Sequence, residues 1–266
     1  MKNTVVPAAQ KVEFETLKIG APEKLFVGVF GRSGTGKTRL MATAPGLGVV
    51  PLQRKVRPTI EQVLRDLYPT RKVYWPKDPE QFYRYKNPME LAMMNREESI
   101  GFYRALVDRI KAAYWSLLDM PEVQTIGIDS GYTLYNLIVA AHYGRSTRFS
   151  AEKTAWEPPN TEMRMLLESL QTKHVVFTTE SKESYQKKEA LGYDENAGYK
   201  ALGYECNVLV ETHFSVEDGF WLDVRMCQDR AALMGEAGQH LLSGDMIEFK
   251  YLACELRPDS AIEDWE

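Results

Sequence analysis

Residues 31–38 read Gly-Arg-Ser-Gly-Thr-Gly-Lys-Thr, a complete G-x-x-x-x-G-K-[ST] pattern. Each residue type in it has a chemical reason. The glycines let the backbone turn tightly and bring N–H groups onto phosphate oxygens without a Cβ in the way. A loop that opens a helix places an anion at the helix N-terminus, where unpaired N–H groups favour it. Lys37 is a point charge able to reach the β- and γ-phosphates of a nucleoside triphosphate. The Thr38 hydroxyl is suited to ligate Mg²⁺. Gly31, Arg32, Ser33, Gly34, Thr35, Gly36, Lys37 and Thr38 are therefore candidate contacts to ATP.

A second acidic element is needed on the metal side. Asp129 ends the apolar run Ile126-Gly127-Ile128 and is the candidate partner of Thr38 at Mg²⁺, through water. Ser130, beside it, has two readings of equal weight, a hydrogen bond to the attacking water or a cap on the following helix. Phosphoryl transfer to water also needs a group that positions the water, expected near the carboxyl end of a strand. Glu180, after the run KHVVFTT, is the first candidate, and Glu61 the weaker one. The candidate catalytic set is Lys37, Asp129 and Glu180.

The elements that must hold these residues alternate along the chain. Residues 25–30 (LFVGVF) are a continuous apolar run, the pattern of a strand buried on both faces. A helix starts over 39–44 and is stopped by Pro45-Gly46. Residues 48–52 and 72–75 read as short strands with a basic stretch, 53–57, between them. Residues 76–95 read as an irregular insertion. Asn95, with Glu98 three residues on, predicts a capping box. Behind it Ile100, Tyr103, Leu106, Ile110, Ala113, Tyr114 and Leu117 recur at helical spacing. Strands follow over 124–129 and 173–178, with helices over 133–142 and from Asn160 to about 171. Residues 144–159 read as a loop and 182–200 as a polar, lysine-rich stretch with tyrosines. Residues 207–214 and 220–226 read as two strands joined through the turn signal Glu217-Asp218-Gly219. Residues 246–254 read as a last strand.

This order predicts an α/β fold with a mostly parallel central sheet, helices on both faces and a C-terminal antiparallel extension. The domain reading is a lead-in over 1–20, one nucleotide-binding domain over 21–258 and a loose acidic tail over 259–266. Hydrophobic residues make up 44% and charged residues 26%, which suits a full core. The net charge of −4 confines any nucleic-acid surface to a local patch. Three cysteines without paired spacing read as buried thiols rather than zinc ligands. No apolar leader and no 18-residue apolar stretch is seen, so a soluble, cytoplasmic chain without a membrane span is expected.

With these motifs in place, the chain resembles a RecA-like P-loop ATPase, and more narrowly the small phage-encoded ATPases of recombination and single-strand annealing. The resemblance is carried by GRSGTGKT and by IGIDS at 126–130, with weaker support from HVVFTTESK at 174–182 and MCQDR at 226–230. It spans about residues 24–231. It implies Lys37 and Thr38 on phosphate and Mg²⁺, Asp129 as the acidic-strand residue, and a sensor position at Thr179–Glu180, where such proteins often carry His. Such families also often carry an acid after the second strand, where this chain has Gln53-Arg54-Lys55. The resemblance further implies single-stranded DNA as a partner, assembly of several subunits, and a phage recombination or single-strand-binding protein as a further partner. The basic, aromatic segments 144–159 and 182–200 are the candidate DNA contacts. Arg230 or Arg225 is a candidate arginine finger onto a neighbour's γ-phosphate. Two other readings share the phosphate grip: a small-molecule kinase with an arginine lid near 144–148, and a nucleotide-gated assembly subunit with weak hydrolysis.

Overall fold

The structure, a computed structural model, describes residues 24–83, 93–144, 156–186, 189–228 and 241–265. The lead-in over 1–20, the core of the loop at 145–155 and Arg230 lie outside these described residues. In chain order the elements are β1 (Phe26–Gly31), α1 (Lys37–Ala42), β2 (Leu47–Val49), α2 (Val56–Leu67), α3 (Arg96–Leu118), β3 (Thr125–Ile128), α4 (Gly131–Tyr143), α5 (Glu157–Leu170) and β4 (His174–Gln186). They continue with β5 (Glu189–Asn196), α6 (Leu202–Glu205), β6 (Val208–Ser215), β7 (Gly219–Cys227), β8 (Leu242–Ser243) and α7 (Phe249–Leu256).

The main sheet runs in the order β2-β3-β4-β1-β6-β7-β8, with β5 paired to the distal half of β4. The five strands from β2 to β6 are parallel, and β7 and β8 extend the sheet antiparallel. This is the expected mostly parallel α/β architecture with an antiparallel C-terminal extension. Alternation along β1 shows how the sheet feeds two cores. Phe26 and Phe30 enter a cluster with Tyr103, Ile110, Leu134 and Leu167 from α3, α4 and α5. Val27 and Val29 enter a second cluster on the other face, with Leu40, Ile60 and Leu252 from α1, α2 and α7. Both faces are covered, so β1 is buried along its whole length. Helix α3 begins with the predicted capping box: the Asn95 side chain accepts from the Glu98 N–H at 3.0 Å, and the Glu98 carboxylate accepts from the Asn95 N–H at 2.9 Å.

Several expectations are corrected. The strand read at 246–254 is the helix α7, because Phe249, Leu252, Ala253 and Leu256 bury one face at helical spacing. The strand read at 72–75 reduces to one bridge between Tyr74 and Gly48. The basic stretch ending at residue 57 runs directly into α2, which docks through buried Val56 and Ile60 and partly buried Val63 and Leu64. The polar stretch 182–200 is largely a β-hairpin, in which β4 continues past the parallel sheet and pairs antiparallel with β5.

The acidic tail is not loose. Trp265 is buried beside His174 and Phe249, with ring centroids 5.5 and 6.3 Å away, and its indole N–H donates to Ser260 Oγ at 2.7 Å. Burial pulls the His174 imidazole down to about 4, so it stays neutral and its Nδ1 accepts the Leu25 N–H at 3.0 Å. Among the described residues, no helix is long and apolar enough to cross a membrane. Trp265→Ala is expected to reduce the unfolding free energy by about 3–5 kcal/mol, the usual cost of deleting a buried indole. A urea titration followed by circular dichroism measures it, and an unchanged midpoint would show that the tail docks without stabilising the sheet.

Candidate nucleotide-binding site

Strand alternation decides which side chains meet. Gly127 lies on the α1 face of β3, where a Cβ would come within 2.8 Å of the Met41 sulfur. Two residues on, Asp129 lies on that same face, toward Thr38 one turn before Met41. The parallel register sets Gly127 beside Val176 and Ile128 beside Phe177, which brings Thr178 of β4 next to Asp129. The result is a carboxylate held at two points. The Thr38 hydroxyl donates to Asp129 Oδ2 at 2.9 Å, and the Thr178 hydroxyl donates to Asp129 Oδ1 at 2.8 Å. Both carboxylate oxygens are thus fixed, one by the phosphate loop's own helix and one by the neighbouring strand. The Asp129–Ser130 peptide is cis.

Residues 31–38 curl between β1 and α1 and line a cleft of about 750 Å³, together with Arg39, Gln53, Lys55, Thr59, Val63, Asp129, Ser130, Thr179, Glu180 and Phe220. Gly31 is held against β6: a Cβ there would lie 2.5 Å from the Thr212 carbonyl oxygen. Gly36 caps α1 at φ 94°, a conformation that other L-residues rarely adopt. The loop is braced from behind by Thr35, whose hydroxyl lies 2.8 Å from both the Arg32 carbonyl and the Thr212 hydroxyl. Lys37 crosses its own loop, donating to the Gly31 and Arg32 carbonyls at 2.7 and 2.6 Å. Burial pulls the pKa of its ammonium down, while the carboxylates of Asp129 and Glu180 hold it up.

The structure brings Lys37, Thr38, Asp129 and Glu180 to one cleft. Glu180 is exposed at the point where β4 leaves the parallel sheet, opposite Gly31 in register. Glu61 is not brought there: its carboxylate accepts from Arg57 at 2.7 Å on the surface of α2. Ser130 takes the capping role, its Oγ accepting the Thr133 N–H of α4 at 3.2 Å. Arg225 is ion-paired with the buried Glu211 of its own chain, its Nε donating at 2.6 Å. Sequence reasoning missed Thr178 and Thr212. A threonine inside a β-branched strand carries no local mark of chemistry, and only the register reveals its partner. It also missed the tether between Arg32, inside the loop, and Asp194 of β5 at 3.0 Å, which pulls the Asp194 carboxyl below its usual range.

The fold and cleft together define an α/β protein with a phosphate-loop cleft at the carboxyl ends of its parallel strands. No protein-family model and no curated protein matches the chain. Among solved structures it is similar to the crystal structure of the RadB recombinase, with a TM-score of 0.42 at 11% identity, over 77% of this chain and 82% of that one. It is also similar to the flagellar accessory protein FlaH from Methanocaldococcus jannaschii, with a TM-score of 0.39 at 11% identity, over 83% and 85% of the two chains.

The Thr178 hydroxyl orients the carboxylate of Asp129, the candidate metal-side acid. Thr178→Val, which keeps the shape, is expected to weaken Mg²⁺ about tenfold in the presence of a non-hydrolysable ATP analogue, as loss of an outer-shell hydrogen bond does. Thr178→Ser should restore it. The same Mg²⁺ midpoint in wild type and Thr178→Val, by calorimetric titration, would remove this role.

Proposed function

We propose that this chain binds ATP with Mg²⁺ and hydrolyses it, and that it acts with single-stranded DNA as a RecA-like ATPase of phage-type recombination or replication, in a homo-oligomer. The observation that carries the nucleotide reading is the convergence of Lys37, Thr38 and Asp129 in one cleft, with Thr38 and Asp129 2.9 Å apart although 91 residues separate them.

Phosphoryl transfer of this kind depends on positioning and electrostatics more than on covalent chemistry. Lys37 would leave the Gly31 and Arg32 carbonyls for the β- and γ-phosphate oxygens. The Thr38 hydroxyl and the Asp129 carboxylate, the latter through water, would hold Mg²⁺. When bound, the ion neutralises charge on the terminal phosphates. Glu180, at the mouth of the cleft, is the candidate to orient and deprotonate the attacking water.

The DNA part of the reading is supported by the β4–β5 hairpin. It begins immediately after Glu180 and is tied to the phosphate loop through Arg32 and Asp194, while its Lys182 is ion-paired with Glu195 at 3.0 Å and would have to leave that partner to meet a backbone phosphate. A strand bound along this hairpin would act on the same residues that grip the nucleotide. Arg225, ion-paired with Glu211, would have to leave that partner before serving a neighbouring subunit.

The test is ATP hydrolysis at low salt by wild type and Lys37→Ala, with and without single-stranded DNA. Turnover stimulated by DNA and reduced at least about 100-fold in the variant, on the scale of lost transition-state charge stabilisation, is the expected result. Bound nucleotide with background turnover in all samples would favour a nucleotide-gated assembly subunit. Phosphate transferred to a small acceptor would favour a kinase.

A further inference from the structure

β6 and β7 carry a charged cluster that the proposed chemistry does not use. Glu211 and His213 share one face of β6, and their antiparallel partners on β7 are Asp223 and Trp221. The residue between them, Thr212, braces Thr35 of the phosphate loop at 2.8 Å. The cluster borders a cavity of about 380 Å³, shared with Arg32 of the loop and with Glu183 and Asp194 of the β4–β5 hairpin. We infer that His213 makes the grip of the phosphate loop depend on pH: a charged imidazole strengthens the hold on a nucleoside triphosphate, and a neutral one weakens it. This inference rests on the nucleotide reading above and adds a regulation to it.

Three observations carry it. First, the imidazole stands among fixed charges. Its Nε2 is buried without a hydrogen-bond partner, 3.2 Å from Asp223 Oδ2 and 3.7 Å from Glu211 Oε2. A proton bound to the ring puts its charge between two carboxylates. The ring also lies flat on Trp221, centroids 5.1 Å apart at 10°, and an indole face attracts a cation. Second, the cluster is unbalanced. Around the ring stand Glu183 of β4, Asp194 of β5, Glu211 of β6 and Asp223 of β7, against Arg32 of the loop and Arg225 of β7. With a neutral ring these four carboxylates exceed the two guanidiniums by two charges, and with a charged ring by one. A triphosphate brings more negative charge to the adjacent loop, so the excess opposes it. Third, the charge of the ring reaches the loop. Arg32 Nε donates to Asp194 Oδ2 at 3.0 Å, and the Asp194 carboxyl is held below its usual range chiefly by Arg32 and further by His213. The carbonyl of the same Arg32 accepts from Lys37 at 2.6 Å. Among the side-chain types of this cluster, only an imidazole ordinarily changes charge between about pH 5 and 8.

The test is calorimetric binding of a non-hydrolysable ATP analogue with Mg²⁺ to wild type, His213→Gln and His213→Lys, at about pH 5.5 and about pH 8.5. Low salt is used, because the field of a nearby charge then extends furthest. Comparing proteins at one pH removes the titration of the analogue itself. Wild type should hold the analogue about threefold more tightly than His213→Gln at the lower pH and equally at the higher, the scale of one charge at the edge of a solvated cleft. His213→Lys, which keeps its charge throughout, should match wild type at the lower pH and exceed it at the higher. Tryptophan emission reports the ring directly, because a charged imidazole quenches a stacked indole. The part of the emission lost in Trp221→Phe should fall with pH in wild type and not in His213→Gln. An emission that ignores pH, or a ratio of wild type to His213→Gln that is the same at both pH values, would overturn the inference and leave the nucleotide site in place. Wild type that binds no analogue at either pH would remove the nucleotide reading and this inference with it.

Discussion

One carboxylate ties the cleft together. Asp129 accepts a hydroxyl from the helix that follows the phosphate loop and another from the strand between the loop's strand and its own. This requires that β3 and β4 keep a register in which the residue after Ile128 lies beside Thr178. A slip of one residue would turn Asp129 toward the α3–α5 face and exchange every apolar neighbour at the same time. The two packed cores resist that slip, because β3 and β4 bury different residues on each face. The geometry of the candidate site is in this sense a product of hydrophobic packing far larger than the site.

β4 carries a second responsibility. Its first half is a buried parallel strand and its second half one arm of an antiparallel hairpin, with Glu180 at the change. The hairpin returns Asp194 to Arg32 within the phosphate loop, and Thr179 is held by the Ala197 carbonyl at 2.8 Å. On the other side, Thr212 braces the loop through Thr35, and Phe220 packs on Gly36. The loop is clasped from both flanks by strands that diverge from β1.

The chain's local structure was legible in places where one short segment carries the whole signal. Residues 31–38 could be read because each position has a steric or electrostatic requirement of its own. Asp129 could be read because it ends an apolar run, and the cap of α3 because Asn95 and Glu98 complete one motif within a single turn. The helix α7 was misread as a strand because a short apolar segment satisfies either period until its docking face is known. The tail was misread as loose because its acidic composition hid one tryptophan with a buried site waiting across the sheet.

By itself the sequence determined the glycine-rich loop between the first strand and the first helix, the acidic residue that ends the third strand, the buried central strands and the alternation that yields a mostly parallel α/β sheet. These are properties of contiguous residues, in which side-chain type and spacing constrain the backbone directly. Only the tertiary structure decided that Thr178 completes Asp129, that Thr212 braces Thr35 across 177 positions, that Arg32 is tethered to β5, and that Phe220 borders the loop. Those pairs are set by strand order and register. Both follow from burying two sheet faces at once, a condition that no local window of residues contains.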